Sequence, residues 1–316
     1  MYSDELSDLL RMSLQPLAIF RQLCDAQDAT EKGLHRGDTY RWNTFSDVGT
    51  QGRRLAENQP LPETNFTVNQ TEMEVFEMGN SVPYTGKLEA LAKQDVVAVV
   101  TKTLRNDARK AFDIEAFLAF DECLLRVAPA GGTSTDSLTL TENGSTATTN
   151  DVEFGADHAK AVVDLMVERN IPPFAGDDYI AVSHPTTFRP MKNDLESLHQ
   201  YTGEGLSMIL NGEMGRYEGM RYLKQNQIPK GGAINSATFD PYSNTADPWT
   251  SGKSSWIYFA GEDTVGEAIV VPEEIRAKLP TDYGRAKGIA WYALVGYGLI
   301  HQVASQSRVI KWDSAA

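Results

Sequence analysis

The chain has 316 residues, of which 41% are hydrophobic, 9% aromatic and 23% charged. This composition supplies a sizeable core for one large or two compact domains and excludes wholesale disorder. The formal charge of −14 excludes proteins that grip nucleic acid through a basic surface, because phosphate binding needs cations.

Cysteine usage and hydropathy indicate where the chain folds. Cys24 and Cys123 lie far apart and match no zinc or redox spacing, so we expect free, buried thiols. The N-terminus, MYSDELSDLL, carries acids where a secretory signal would carry Lys or Arg. The most apolar run, residues 288–300, is shorter than the roughly 20 residues that a membrane helix needs. We therefore expect cytoplasmic folding and no membrane association.

Residues 1–38 are predicted to form an N-terminal arm. Leucines recur at helical spacing between Leu6 and Leu17, and the first 31 residues contain six acids and two arginines. The pattern fits an amphipathic arm that packs on a neighbouring subunit. It fits equally a solvated terminal helix that stays on its own domain.

Residues 39–85 are predicted to form a long antiparallel hairpin. Tyr40, Trp42 and Thr44 alternate at one end, a β-prone run from Phe66 to Phe76 lies at the other, and GTQGRRLAENQPLPETN separates them. Two strands alone are poorly stabilised, so the hairpin needs a surface to pack on, which another subunit could provide.

The tip of this hairpin carries the candidate contact residues. Arg53 and Arg54, beside Glu57, suit docking onto a carboxylate-bearing partner surface. Trp42 is the fourth candidate for a contact between subunits. The alternative for the two arginines is a solubilising role, and the sequence does not decide between the two.

The sequence predicts one long helix over residues 87–125. Apolar residues from Val96 to Leu125 form one broad stripe, and Lys102, Arg105 and Arg109 oppose it. Such a helix would span roughly 55 Å. The stripe is not a strict heptad, which favours the backbone helix of a domain over a coiled coil.

The remaining chain is predicted to be mixed α+β, without a βαβ repeat. A short hairpin is predicted around residues 138–149, with its turn at Asn143-Gly144. The helices are predicted at residues 156–169 and 190–201, and the strands at residues 178–182, 220–223, 256–259, 268–271, 290–303 and 308–312.

The segment NGEMGRYEGMRYLKQN, residues 211–226, spaces three glycines closely: Gly212, Gly215 and Gly219. A phosphate-binding loop would follow a buried strand, and here Glu213 and Glu218 would face the phosphates. We therefore interpret the glycines as structural turn residues, where a helix ends and the chain reverses into a strand.

No catalytic, metal-binding or cofactor-binding residues are predicted. The five histidines show no close helical pairing of a metal site. Two acidic pairs, Asp177-Asp178 and Glu273-Glu274, could serve a glycosidase, which needs two carboxylates across a cleft. Adjacent acids point in different directions, so a soluble carboxylate-dependent glycoside hydrolase remains only a rival hypothesis.

The order of arm, long hairpin, long helix and mixed α+β half resembles the major capsid proteins of tailed phages with the Hong Kong 97 type of fold. More narrowly, YIAVSHPTTFRPMKND at residues 179–194, followed by the glycine segment, resembles the capsid family of N-four-type short-tailed phages. Members typically carry a strand that ends in a His-Pro turn, here His184-Pro185, and later a Gly-x-x-Gly-x-x-x-Gly turn. The resemblance spans residues 40–312.

This resemblance implies an α+β, Hong Kong 97-like fold with an N-terminal arm and four further parts. These are an extended β-hairpin loop at residues 39–85, a peripheral domain with a spine helix at 86–154, a mainly axial domain at 155–284, and a return to the peripheral sheet at 285–316.

The implied function is that of a non-enzymatic major capsid protein. It would self-assemble through hexamers and pentamers, in the host cytoplasm, into an icosahedral virion shell around double-stranded DNA, without sequence-specific binding to that DNA. Expected partners are a portal protein and scaffolding or decoration proteins. A cellular encapsulating shell protein of the same fold is the related rival.

Overall fold

The computed structural model describes residues 19–29, 39–45, 52, 54, 55, 57, 60–93, 95–129, 138–144, 152–199, 215–225 and 255–314. The predicted arm helix from Leu6 to Leu17, Arg53 and Gly212 lie outside these residues. The helices are α1 (Phe20–Leu23), α2 (Gly86–Leu91), α3 (Val96–Asp121), α4 (Ala156–Glu168) and α5 (Arg189–His199).

The strands are β1 (Asp25–Asp28), β2 (Thr39–Phe45), β3 (Val68–Glu74), β4 (Phe76–Thr85), β5 (Leu125–Pro129), β6 (Leu138–Thr141), β7 (Tyr179–Ser183), β8 (Arg216–Tyr217), β9 (Met220–Lys224), β10 (Ser255–Ala260), β11 (Val265–Ala277), β12 (Ala286–Leu299) and β13 (Val309–Ser314). Within the described part of the chain they form three sheets. The orders are β1-β11-β12-β4, β6-β5-β13-β10-β7-β9-β8, and β2-β3.

The seven-stranded sheet lies between two apolar layers. Successive residues of β10 point to opposite faces, as strand geometry requires. Tyr258 belongs to the cluster around α3, and Phe259 to the cluster around α4. The cluster around α3 continues to Trp291 and Val295 of β12, so this helix packs against both large sheets.

The prediction of one helix over residues 87–125 is wrong at both ends, because the last helical residue is Asp121 and Leu125 begins β5. The chain forms the short helix α2, which ends at Leu91, and the long helix α3 begins at Val96. The side chain of Asp95 accepts hydrogen bonds from the backbone N–H groups of Val97 and Ala98, and this N-cap fixes the restart. The 26 residues of α3 span roughly 39 Å at 1.5 Å per residue.

The predicted hairpin is present, but it is shorter than the predicted residues 39–85. Strands β2 and β3 pair antiparallel from Thr39↔Glu74 to Phe45↔Val68. After a break at Val75 the chain enters β4, which pairs with β12 in the four-stranded sheet. Met78 is buried and Val82 packs against the core, so burial of these side chains places residues 76–85 in the sheet.

In the second half, the predicted helices at 156–169 and 190–201 are present as α4 and α5. The predicted strand at 268–271 is part of β11, and the strand predicted at 290–303 overlaps β12, which begins at Ala286 and ends at Leu299. Strands β11 and β12 pair antiparallel. Residues 138–141 pair antiparallel with β5. The second half of the predicted hairpin there, residues 145–149, lies outside the described residues.

Candidate subunit interface

The described end of the N-terminal arm belongs to the core of its own subunit. Phe20 is fully buried, and its ring centroid lies 5.5 Å from that of Phe117 and 5.4 Å from that of Phe120. Strand β1 then pairs parallel with β11 at the edge of the four-stranded sheet. Residues 19–29 are therefore not a solvated helix, and contact of the arm with a neighbouring subunit stays a prediction.

A buried ion-pair cluster holds this segment. The guanidinium of Arg21 lies 2.8 Å from a carboxylate oxygen of Glu267 and also pairs with Glu273. Burial alone would lower the pKa of Arg21, but Tyr297, Glu267 and Glu273 raise it above its usual value. The cation therefore stays charged, and it neutralises part of the charge of two buried carboxylates.

Asp113 on α3 provides a second anchor. Its carboxylate accepts a hydrogen bond of 2.8 Å from the backbone N–H of Phe20. Burial raises the pKa of Asp113, while the backbone hydrogen bonds from Arg21, Phe20 and Ile19 oppose that shift. The arm is thus tied to the long helix as well as to the sheet.

Three glycines form the seat on which the hairpin rests. The indole of Trp42 covers Gly266, Met73 covers Gly298, and the carbonyl oxygen of Glu74 lies against Gly296. A Cβ at Gly296 would lie 2.6 Å from that oxygen. Only glycine permits this approach, so the base of the hairpin is fixed to its own subunit.

Two side-chain hydrogen bonds from β3 also hold the hairpin on its own subunit. The hydroxyl of Thr71 donates to the carbonyl oxygen of Ile300 at 2.9 Å, and Asn69 Nδ2 donates to Gln306 Oε1 at 3.1 Å. These partners lie beyond the end of β12 at Leu299. The hairpin therefore projects past that end of the sheet.

The distal part of the hairpin is apolar and exposed. Phe45 is 70% exposed and Phe66 61%, and their ring centroids are 6.2 Å apart. Leu61 is 75% exposed. Arg54 and Glu57 are also exposed, as expected of tip residues.

Trp42 differs from the other contact candidates, because it is only 8% exposed and packs within its own chain. The structure thus gives it an intramolecular role. Contacts of Arg53, Arg54 and Glu57 with a partner stay a prediction.

The glycine segment forms a turn of a different kind from the predicted one. Glu218 and Gly219 join β8 to β9 with φ values of 48° and 69°. Two successive positive φ values are those of a type I′ hairpin turn. The described turn therefore connects two strands, whereas the sequence predicted a helix leading into a strand. Gly215, with φ of 62°, also needs the left-handed region.

The acidic pairs are used for ion pairing. Asp178 is 4% exposed, and its two oxygens lie 2.6 Å from Arg216 Nε and 2.7 Å from Arg221 Nε. Glu273 pairs with Arg21, and Glu274 with Arg276. None of these arrangements is a pair of carboxylates facing each other across a cleft, which glycoside chemistry requires.

Two further observations concern the described residues alone. They contain no cluster of three or more histidine, cysteine or acidic side chains arranged to hold a metal ion. Among them, no helix has both the length and the apolarity to cross a membrane. Neither cysteine forms a disulfide bond; Cys123 is buried and Cys24 half-buried.

Solved structures share this arrangement over nearly the whole chain. The capsid of Ralstonia phage GP4 matches with a TM-score of 0.65 and 13% identity, over 95% of this chain and 91% of that one. The acidic stable capsid of Helicobacter pylori bacteriophage KHP30 matches with a TM-score of 0.64 and 12% identity, over 94% and 91%. The capsid of cyanophage P-SCSP1u matches with a TM-score of 0.62 and 14% identity, over 94% and 88%.

This chain has the fold of a phage capsid protein. The predicted α+β, Hong Kong 97-like class is thereby confirmed. No protein-family model matches the sequence, and no curated protein matches it either. At these identities the likeness shows the fold.

Sequence reasoning missed two features, the glycines that the hairpin packs on and the ion-pair partners that hold the arm. Gly266, Gly296 and Gly298 lie inside strands, where an isolated glycine signals a close approach of another element. The amino-acid sequence itself carries this signal. The partners of Arg21 are more than 240 positions away, and no local pattern could have paired them.

Proposed function

We propose that this chain is the major capsid protein of a tailed phage, assembling through hexamers and pentamers into an icosahedral head around double-stranded DNA. The observation that carries the proposal is the hairpin, because its base is seated on its own subunit while Phe45, Leu61 and Phe66 project into solvent. Exposed apolar residues on a projecting element mark a protein interaction site.

The proposed role is mechanical rather than catalytic. Each hairpin adds contact area over a neighbour, and many individually weak interfaces become strong together in a closed assembly. The charge of −14 suits a shell that packs and releases DNA without binding it tightly. A portal protein and scaffolding or decoration proteins complete the proposed partners, assembly takes place in the host cytoplasm, and the mature protein resides in the virion.

The finer assignments belong to the same proposal. Residues 1–38 are the arm, 39–85 the extended loop, 86–154 the peripheral domain with its spine helix, 155–284 mainly the axial domain, and 285–316 the return to the peripheral sheet. The N-four-type short-tailed phages are the proposed family. In its support, β7 ends at Ser183 directly before His184-Pro185.

Light scattering and negative-stain electron microscopy of the purified chain, across salt and protein concentration, test this function. We expect closed shells, or hexamers and pentamers. A monodisperse monomer of 34.9 kDa under every condition, with and without lysate of phage-infected cells as a source of scaffold, would contradict it.

The contents of particles made during infection distinguish a phage head from a cellular encapsulating shell. Nuclease-protected double-stranded DNA is expected from a phage head. A single cargo protein without DNA would instead identify an encapsulating shell protein. Turnover of glycan substrates by a purified monomer would revive the hydrolase hypothesis.

A further inference from the structure

The long helix α3 carries a row of cations along one side. Lys102, Arg105 and Arg109 recur at spacings of three and four residues, and Lys110 follows directly. Residues at such spacings are neighbours on one side of a helix. Asn106 lies among them. We call these five residues the basic stripe.

The stripe lies away from the core of the subunit. Its two lysines and its asparagine are exposed, and its two arginines are half-buried. The core side of the helix carries instead Leu104, Ala108 and Phe112, each at most 1% exposed. The cations of the stripe can therefore reach a partner outside the subunit.

The acids of α3 are used inside the subunit. Asp107 accepts a hydrogen bond of 2.9 Å from an indole N–H of β12, and Asp113 accepts one of 2.8 Å from the backbone of the arm. Asp121 lies 2.5 Å from the buried Lys311. The fourth acid, Glu115, lines a cavity between α3 and β4. The helix thus directs its acids towards its own subunit and its cations towards solvent.

The cations of the stripe have no carboxylate partner in the described part of the chain. None of the four takes part in an ion pair there. Like charges three or four residues apart on a helix repel one another, as Arg105 and Arg109 do. The chain has 43 acids and 29 lysines and arginines, so acids to neutralise the stripe were abundant. Their absence from this side of α3 indicates an anion from outside the subunit.

The charge of the whole chain conceals this segregation. A formal charge of −14 excludes tight binding of nucleic acid by the surface as a whole, whereas the stripe alone carries four positive charges. Repulsion by the remaining surface keeps any contact between the stripe and phosphates weak. A weak local contact is compatible with a shell that packs and releases DNA.

The side chains of the stripe fit phosphates better than they fit a protein. Val99, which precedes the stripe and is 50% exposed, is the only exposed large apolar residue of α3, a helix that the structure describes in full. Protein interfaces have an apolar centre with large anchoring side chains. Lysine, arginine and asparagine are instead among the usual donors to the phosphates of nucleic acids.

The length of the stripe also suits a nucleic-acid strand. From Lys102 to Lys110 the helix rises roughly 12 Å. Phosphates of one strand of a DNA duplex follow one another about every 3.4 Å along its axis. The stripe therefore covers three or four successive phosphates, about one for each of its cations.

We propose that the basic stripe contacts the phosphate backbone of the double-stranded DNA enclosed by the shell, without reading its sequence. The side of α3 that carries the stripe then faces the lumen. This inference rests on the proposed function and adds the surface that meets the DNA. Each subunit contributes a weak contact, and the many copies in a shell act together on the DNA that lies against it.

Two variants with matched charge test the stripe. The stripe variant is Lys102→Gln with Lys110→Gln, at two exposed positions of α3. The control is Lys160→Gln with Lys278→Gln, which removes the same charge from exposed positions on α4 and directly after β11. Circular dichroism and the denaturation midpoint should match wild type in both variants.

Fluorescence anisotropy of a labelled DNA duplex of random sequence, titrated with unassembled subunits at several salt concentrations, measures the contact. We expect the stripe variant to bind roughly tenfold more weakly than wild type at low salt. Its slope of log affinity against log salt should be shallower by about 2, because two phosphate contacts are lost. The control should bind as wild type does. No binding by wild type, or equal losses in the two variants, would overturn the inference.

Cross-linking locates the contact in the assembled shell. DNA-filled particles made during infection are treated with formaldehyde, and mass spectrometry then identifies the peptides that carry nucleotide adducts. We expect adducts on Lys102 or Lys110. Adducts found only on peptides outside α3 would place the DNA on another surface and contradict the inference.

Light scattering and electron microscopy distinguish a failure of this inference from a failure of the proposed function. The stripe variant should form the same shells as wild type. A folded stripe variant that no longer assembles, but binds the duplex as wild type does, would assign the stripe to a contact between proteins and overturn the inference alone. Wild-type chain that forms no shells, hexamers or pentamers under any condition would overturn the proposed function, and this inference with it.

Discussion

The indole of Trp42 lies so close to Gly266 that a Cβ at position 266 would be 2.5 Å from the indole Cζ2 atom. The contact joins the hairpin to the first residues of β11, and no side chain larger than hydrogen fits between them. The base of the hairpin is therefore positioned by packing inside one subunit, before any neighbour arrives.

We expect Gly266→Ala to lower the free energy of unfolding of the unassembled subunit by roughly 1–3 kcal/mol, the usual cost of overpacking. Chemical denaturation followed by tryptophan fluorescence measures it. Gly288→Ala is the matched control, because the nearest atoms to its new Cβ are 3.6 Å away, and its effect should stay within about 0.5 kcal/mol. Equal losses in both variants would contradict the close contact with Trp42.

Arg21→Met should destabilise the subunit by roughly 3–5 kcal/mol, because it leaves Glu267 and Glu273 buried without their cation. A second variant, which adds Glu267→Gln and Glu273→Gln, removes the stranded charges and should recover most of that loss. Denaturation midpoints of both variants give the comparison. Loss of the same size in both would mean that the packing of the Arg21 side chain, rather than charge, holds the arm.

The fold could be predicted from the sequence where a local pattern decides the structure. Helix α4 and strand β10 follow periodicity, and the hairpin follows the alternation around Trp42. The break before α3 was missed although the apolar stripe begins only at Val96, and the capping side chain of Asp95 sets the boundary.

Contacts between residues far apart in the sequence could not be predicted, for a different reason. The ion pair of Arg21 with Glu267, and the seat of Trp42 on Gly266, depend on which strands become neighbours. The start of α2 likewise lies beside a turn some 200 positions later in the chain. The topology of the sheets brings these residues together, and the spacing of residues along the chain does not reveal that topology.

His301, next to the hairpin seat, should make stability depend on pH. Burial, assisted by the charge of Arg308, lowers its pKa to about 4, while Asp263 opposes the shift. An unfolded histidine titrates near about 6.5, so on acidification the unfolded chain takes up the proton first. The stability contributed by neutral His301 is therefore complete above about 6.5 and is lost as pH falls towards 4.

Unfolding of the unassembled subunit between pH 7 and pH 4 measures this effect. The variant His301→Gln cannot titrate, so its free energy of unfolding should fall less over that interval than that of wild type. Identical pH profiles would show that the imidazole does not contribute.

The type I′ turn at Glu218-Gly219 predicts two substitutions of opposite sign. Gly219→Ala places a Cβ at φ of 69° and should cost about 1 kcal/mol. Glu218→Asn puts the preferred residue at φ of 48° and should stabilise by a few tenths of a kcal/mol. Thermal unfolding of the subunit reports both, and the same sign for the two variants would contradict the turn type.

Replacing Arg53 and Arg54 by glutamate tests whether the predicted hairpin tip is needed for assembly but not for folding. Arg54 is exposed, so replacing both arginines by glutamate removes no described intramolecular contact and should leave the circular dichroism spectrum of the monomer unchanged. We expect this variant not to assemble, because glutamates at the tip would repel a carboxylate-bearing surface on the neighbour. The double lysine variant keeps the charge without the planar fork and should assemble, with stronger dependence on salt. Normal shells from the glutamate variant would show that the arginines serve only solubility.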